Sequence, residues 1–91
     1  MKGAAMMHNY VLLEDDTQIA YSEMREDRTV GIAIERPRDF GFDAAETSLP
    51  ALTWANVDGF TDDELRRLSV FLKNNAPLIV RFAQEASKQY A

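Results

Sequence analysis

The hydrophobic period of this chain changes once, and the change limits the folds open to it. Thr29-Val30-Gly31-Ile32-Ala33-Ile34-Glu35 alternates residue by residue, with Val30, Ile32 and Ile34 on one side and small or polar residues on the other. That is the period of a strand with one buried face. From Leu65 onward the apolar residues Leu65, Leu68, Phe71 and Leu72 recur at helical spacing, and Ile79, Phe82, Ala83 and Ala86 form a second stripe. Strands first and helix last is the pattern of an α+β domain, in which helical stripes cover one face of an antiparallel sheet.

The joint between the two periods is marked residue by residue. Gly59-Phe60-Thr61-Asp62-Asp63-Glu64-Leu65 places an N-cap threonine three residues before a glutamate, the spacing of a capping box. Phe60 and Leu65 stand where a hydrophobic staple would close. Asp62 and Asp63 complement the positive end of the helix dipole. Near Asn74-Asn75-Ala76-Pro77 a proline removes a backbone donor and restricts the residue before it. The helical region is therefore predicted as two helices across 59–90, divided at Pro77.

Upstream, Tyr10-Val11-Leu12-Leu13 is a short apolar run, Glu14-Asp15-Asp16-Thr17 a polar turn, Gln18 to Met24 an alternating strand, and Arg25-Glu26-Asp27-Arg28 a second turn. Pro37 ends the strongest strand, and Asp43 to Leu49 reads as a fourth. Leu49-Pro50 to Val57, which carries Trp54, reads as a connection. The expected fold is thus a single α+β domain over 1–91. It has a frayed segment at 1–9, an antiparallel meander of three or four strands within 10–49, and two C-terminal helices packed on one face. Alanine, serine and glycine (Ala20, Ser22, Gly31, Ala33) occupy the other face, open to solvent or to another chain.

Composition narrows function mainly by exclusion. The chain has 91 residues, no cysteine and one histidine. A chain of this length supports one modest core and no large chamber. Without cysteine there is no disulfide framework, thiolate metal site or thiol nucleophile, and His8 alone cannot furnish a usual zinc site. Trp54 to Leu65 can be aligned on a calcium loop through Gly59. The first and last loop positions would then be Trp54 and Leu65, where a carboxylate and a bidentate glutamate are required. Neither a cofactor nor a metal is expected, and no catalytic residue is assigned. Glu14-Asp15-Asp16 and Glu26-Asp27 read as solvated turns, which leaves a carboxylate-based hydrolase the weakest reading.

The net charge is −5. Residues 1–50 hold five basic against ten acidic side chains, whereas residues 51–91 hold five of each. Direct binding to nucleic acid is disfavoured, because it rests on Lys and Arg displacing counterions. No segment has the roughly 20 apolar residues of a membrane span, and Met1 to Met7 lacks the order of a secretion signal. Cytoplasmic residence and no membrane partner are the expectations. Arg36 and Arg38 flank Pro37, and Phe40, Phe42, Trp54 and Phe60 cluster around the junction of sheet and helix. Arg36, Arg38, Phe40 and Trp54 are the candidate interface or anion-binding residues.

Leu-Glu-Asp-Asp-Thr-Gln-Ile-Ala-Tyr-Ser (13–22), Ile-Glu-Arg-Pro (34–37), Gly-Phe-Asp (41–43), Leu-Pro (49–50), Trp54, Gly-Phe-Thr-Asp-Asp-Glu (59–64) and Asn-Asn-Ala-Pro-Leu-Ile (74–79) together resemble a family of small bacterial proteins of about ninety residues with no assigned function. The resemblance spans nearly the whole chain. Its motifs are turns, caps and core positions, so it implies a fold and no catalytic residues. Two functions are compatible with these readings. One is a non-enzymatic, acidic protein-binding or regulatory module that associates with a protein partner or with itself as a homodimer. The other is a sensor that binds a small molecule or anion near Arg36, Arg38 and Trp54.

Overall fold

The computed structural model describes residues 6–89. Five strands, β1 (Met7–Leu12), β2 (Gln18–Ser22), β3 (Val30–Arg38), β4 (Gly41–Leu49) and β5 (Ala55–Asp58), precede one helix, α1 (Asp62–Gln89). The strands form an antiparallel meander in the order β1-β2-β3-β4-β5. The α+β class holds, but two expectations do not: the sheet has five strands rather than three or four, and one helix stands where two were predicted.

The single helix follows from where Pro77 points. Leu68, Leu72, Ile79, Ala83 and Ala86 are buried, with Ala76 packed beside them, and these positions form one unbroken stripe. The two stripes read from the sequence share one phase. Pro77 lies on the opposite, exposed side, as does Lys73, whose carbonyl loses its donor. Water can serve that carbonyl, so the helix continues through the proline. Two residues before the proline, Asn75 Nδ2 donates to the Phe71 carbonyl (2.8 Å) and Asn75 Oδ1 accepts from the Tyr10 hydroxyl (2.7 Å), which ties this part of α1 to β1.

The fifth strand gave no signal because it buries nothing. All four residues of β5 are exposed, Asn56 has φ 53°, and the β4–β5 register shifts between Ala44 and Glu46. At the other edge β1 begins at Met7, so Met7, His8 and Asn9 belong to the sheet. Of the rest of the segment read as frayed, Met6 precedes the strand and residues 1–5 lie outside the described residues. β3 runs on through Pro37, which is possible because β2 pairs no further along β3 than Glu35, leaving Pro37 at an edge.

Two turns share one construction, Glu-Asp-x-Thr. Asp15 Oδ1 accepts from Thr17 N and Asp27 Oδ1 from Thr29 N, each at 3.1 Å. The residues between them, Asp16 (φ 67°) and Arg28 (φ 69°), take the left-handed conformation. Because strands alternate in direction, the β1–β2 turn, the β3–β4 turn and the start of α1 share one end of the sheet. The β2–β3 turn and the end of α1 share the other, where Met24 N donates to the Ala83 carbonyl (3.2 Å) and Ser87 Oγ to the Met24 carbonyl (3.1 Å). The acidic turns at 14–16 and 26–27 therefore lie at opposite ends, and the acidity of the first half is divided rather than gathered on one surface.

The core lies between α1 and the near face of the sheet, around Ile19, Val30, Ile32, Ile34, Leu72 and Ile79. Complete burial of a side chain of this size stabilises by about 1.5–3 kcal/mol. On the far face the smallness of Gly31 is used within the chain. Its N–H donates to Ser22 Oγ (2.8 Å), and the Arg25 guanidinium lies where a Cβ would project.

Candidate functional site

Alternation along β3 puts Arg36 on the same face as Ile32 and Ile34, and alternation along β4 puts Asp43 on the face of Ala45 and Leu49. Both polar side chains are therefore delivered under the start of α1. The capping box forms there as the spacing predicts: Glu64 N donates to Thr61 Oγ1 (3.1 Å) and Thr61 N to Glu64 Oε1 (2.9 Å). The same Glu64 carboxylate reaches Arg36, which donates through Nη1 to Oε2 (2.7 Å) and through Nη2 to Oε1 (3.3 Å). Arg36 Nε donates to Asp43 Oδ2 (2.9 Å), Asp15 Oδ2 lies 3.7 Å from Arg36 Nη1, and the guanidinium stands 4.5 Å above the Phe60 ring. One arginine thus joins the β1–β2 turn, β4 and the cap of α1.

The electrostatics follow this geometry. Hydrogen bonds from Arg36 and from the Thr61 backbone lower the Glu64 carboxyl to about 2. Bonds to Glu64 and Asp43 raise Arg36 above its already high value. Asp15 is lowered, first by the Thr17 side chain. With its nitrogens turned to carboxylates, Arg36 would have to lose one of them to accept an anion. Arg38 shares Asp43, with Nη1 3.1 Å from Oδ1, and approaches Asp58 at 3.9 Å. Asp43 Oδ1 has no hydrogen bond of good geometry. The contact to Arg38 is therefore better described as an ion pair. Gly59 (φ 94°) passes so close to Asp43 that a Cβ would overlap its carboxylate.

The four residues singled out in the sequence do not converge. Arg36 and Arg38 meet at Asp43. Phe40 stands at the tip of the β3–β4 hairpin, 102% exposed, with Phe42 58% exposed beside it. Trp54 is half-buried against α1, and its Nε1 donates to Ser69 Oγ (2.8 Å). His8 lies in β1, its ring 5.3 Å from that of Tyr21 and its Nε2 3.8 Å from Glu23. Among the described residues no three or more His, Cys, Asp or Glu side chains gather as metal ligands, and no helix is long and apolar enough to cross a membrane.

Beside the Arg36 cluster lies a cleft of about 180 Å³. Leu13, Phe60, Leu68 and Phe71 line it together with Thr17 and the charged side chains of Asp15, Arg36, Glu64 and Arg67. The Arg67 side chain is exposed and makes no ion pair or hydrogen bond with another described residue. Sequence reasoning missed Asp43, Glu64 as a partner of Arg36, and Arg67. The first two were accessible, since extending the Val30-Ile32-Ile34 alternation by two residues places Arg36 beneath the helix, where a carboxylate must meet it. Arg67 carries no such signal. No family model, curated protein or solved structure matches this chain.

Proposed function

We propose that this chain is a protein-binding module that docks through the β3–β4 hairpin. The observation that carries the reading is the complete exposure of Phe40, with Phe42 largely exposed next to it and Pro37 opposite Phe42 in the ladder. An isolated exposed apolar residue is ordinary. Here two aromatic rings and a proline sit together on one hairpin, and the fold uses neither ring in its core. Buried aromatic anchors supply most of the energy at protein interfaces. The base of the hairpin is held by Arg36 and Arg38 on Asp43, so presenting the rings costs little ordering on binding. The sensor reading has no comparable support, because Arg36 is already engaged by carboxylates and Trp54 is turned toward Ser69.

A photo-crosslinking phenylalanine analogue at position 40, compared with the same analogue at exposed position 84 of α1, tests the reading in cells that make the protein. Adducts that form from position 40 and not from position 84 are expected. Equal yields at both positions, or none, would overturn it.

A further inference from the structure

We infer that the occupant of the hairpin surface is a second copy of this chain: each Phe40 seats in the Arg36-side cleft of the other copy, in a closed two-fold pair. The inference rests on the docking reading above and names its partner. Three observations carry it.

The first is fit. A dry apolar cavity of about 150 Å³ accepts benzene. The cleft, at about 180 Å³, has the volume for a single phenyl ring, with Leu13, Phe60, Leu68 and Phe71 to pack against it, although Arg36, Glu64, Asp15, Thr17 and Arg67 make the rest of the lining polar. It is below the roughly 300 Å³ at which pockets for larger ligands begin.

The second is charge. The hairpin tip offers Arg38, half exposed, and Asp39, which is exposed and unpaired among the described residues. The cleft rim offers Asp15, half exposed, and the unpaired Arg67. Each charge at the tip thus has an opposite at the rim, Asp39 for Arg67 and Arg38 for Asp15, and the two unpaired charges of the set are a matched pair.

The third is topology. The tip and the cleft occupy the same end of the sheet, because the β1–β2 turn, the β3–β4 turn and the start of α1 all lie there. Knob and hole on opposite ends would build an open chain of subunits. On the same end they can close reciprocally, each copy giving and receiving one ring, which is the isologous arrangement.

The surface is small. Two phenylalanines contribute about 150–250 Å² each, and the contact is confined to one end of a molecule 39 × 29 × 22 Å. It falls toward the lower range of specific interfaces, so the pair should form weakly and reversibly.

Sedimentation equilibrium over a hundredfold concentration range reaching the millimolar decides the matter, with wild type, Phe40→Ser, Asp39→Arg, Arg67→Asp and the double charge reversal run side by side. All three positions are exposed, and thermal melts confirm that each variant is folded. Wild type should shift from monomer toward dimer. Phe40→Ser and each single reversal should weaken the dimer at least tenfold, and the double reversal should recover most of the loss. A wild type of monomer mass throughout would sink the inference, as would a dimer indifferent to Phe40→Ser or single reversals without effect. The adduct from position 40 separates the two readings. Twice the chain mass supports the second copy. A different protein, with monomeric wild type, leaves the docking surface standing and removes the second copy. No adduct removes both.

Discussion

Glu64→Gln isolates one charge at the most connected point of the molecule. Glutamine serves the capping box as glutamate does, so the bond from Thr61 N (2.9 Å) can persist, while the ionic contact to Arg36 (2.7 Å) becomes a neutral one. The Glu64 carboxyl falls from its ordinary 4.5 to about 2 in the folded chain. At about 1.4 kcal/mol per unit this sets a ceiling of roughly 3 kcal/mol. The carboxylate side chain is 27% exposed and the guanidinium 19%, and screening at that exposure reduces the expected loss to about 1–2 kcal/mol. The sign follows from a depressed acid. Its contribution is complete above pH 4.5 and is lost as pH falls toward the folded value.

Urea denaturation of wild type and Glu64→Gln should therefore differ by about 1–2 kcal/mol near neutral pH. The difference should close between about pH 4.5 and 2, because the variant has nothing left there to protonate. Every other carboxylate is common to both proteins and cancels. Equal stability at neutral pH, or a difference that persists unchanged through the acid range, would refute the assignment of that charge to Arg36.

Three further substitutions test the backbone. Gly59→Ala forces an alanine to φ 94° and drives its methyl into Asp43. It should cost about 2 kcal/mol or more in chemical denaturation, whereas Gly41→Ala, which is also strained by its backbone (φ 153°) but has nothing near its Cβ position, should cost less. Pro77→Ala should stabilise by about 2 kcal/mol, the helical gain of alanine less the lost restraint on the unfolded chain. A lower denaturation midpoint would mean that the proline serves a contact on its exposed side.

What the sequence discloses depends on what each element buries. Val30, Ile32 and Ile34 announce β3 because one of its faces is core. Thr61 and Glu64 announce the helix start because capping requires those groups at that spacing. β5 announces nothing, since Ala55 to Asp58 are all exposed and an exposed edge strand has no period to read. Pro77 misleads for a different reason. Its cost depends on whether the carbonyl it orphans faces water, and that is visible only when the phase of Leu68, Leu72 and Ile79 is carried across it. At the candidate site, type and spacing placed Arg36 and Arg38 together but could not reveal that carboxylates already occupy them, since Asp43 and Glu64 arrive from other elements. The tip was legible as aromatic and not as exposed, because a phenylalanine beside a turn is core or surface according to how far the hairpin projects beyond its neighbour. Here β3 and β4 pair as far as Arg38 and Gly41, while β2 stops opposite Glu35.

That projection assigns the Arg36 cluster a purpose distinct from stability. Beyond Glu35 the hairpin has no β2 to lean on, and Arg36 and Arg38 on Asp43 are what join its base to α1 and the β1–β2 turn. Partly buried ion pairs are often replaceable by apolar side chains with little loss of stability, or a gain. An apolar contact is not directional, however, and would leave the angle of the hairpin less defined. The double variant Arg36→Met with Asp43→Leu separates the two effects. Made in the Glu64→Gln background, where the carboxylate that Arg36 would otherwise leave unpartnered is already neutral, it should melt within a few degrees of Glu64→Gln itself, while amides of residues 38–42 exchange faster with solvent and the self-association attributed to Phe40 weakens. Unchanged exchange at the tip together with undiminished association would show that the cluster contributes to folding alone.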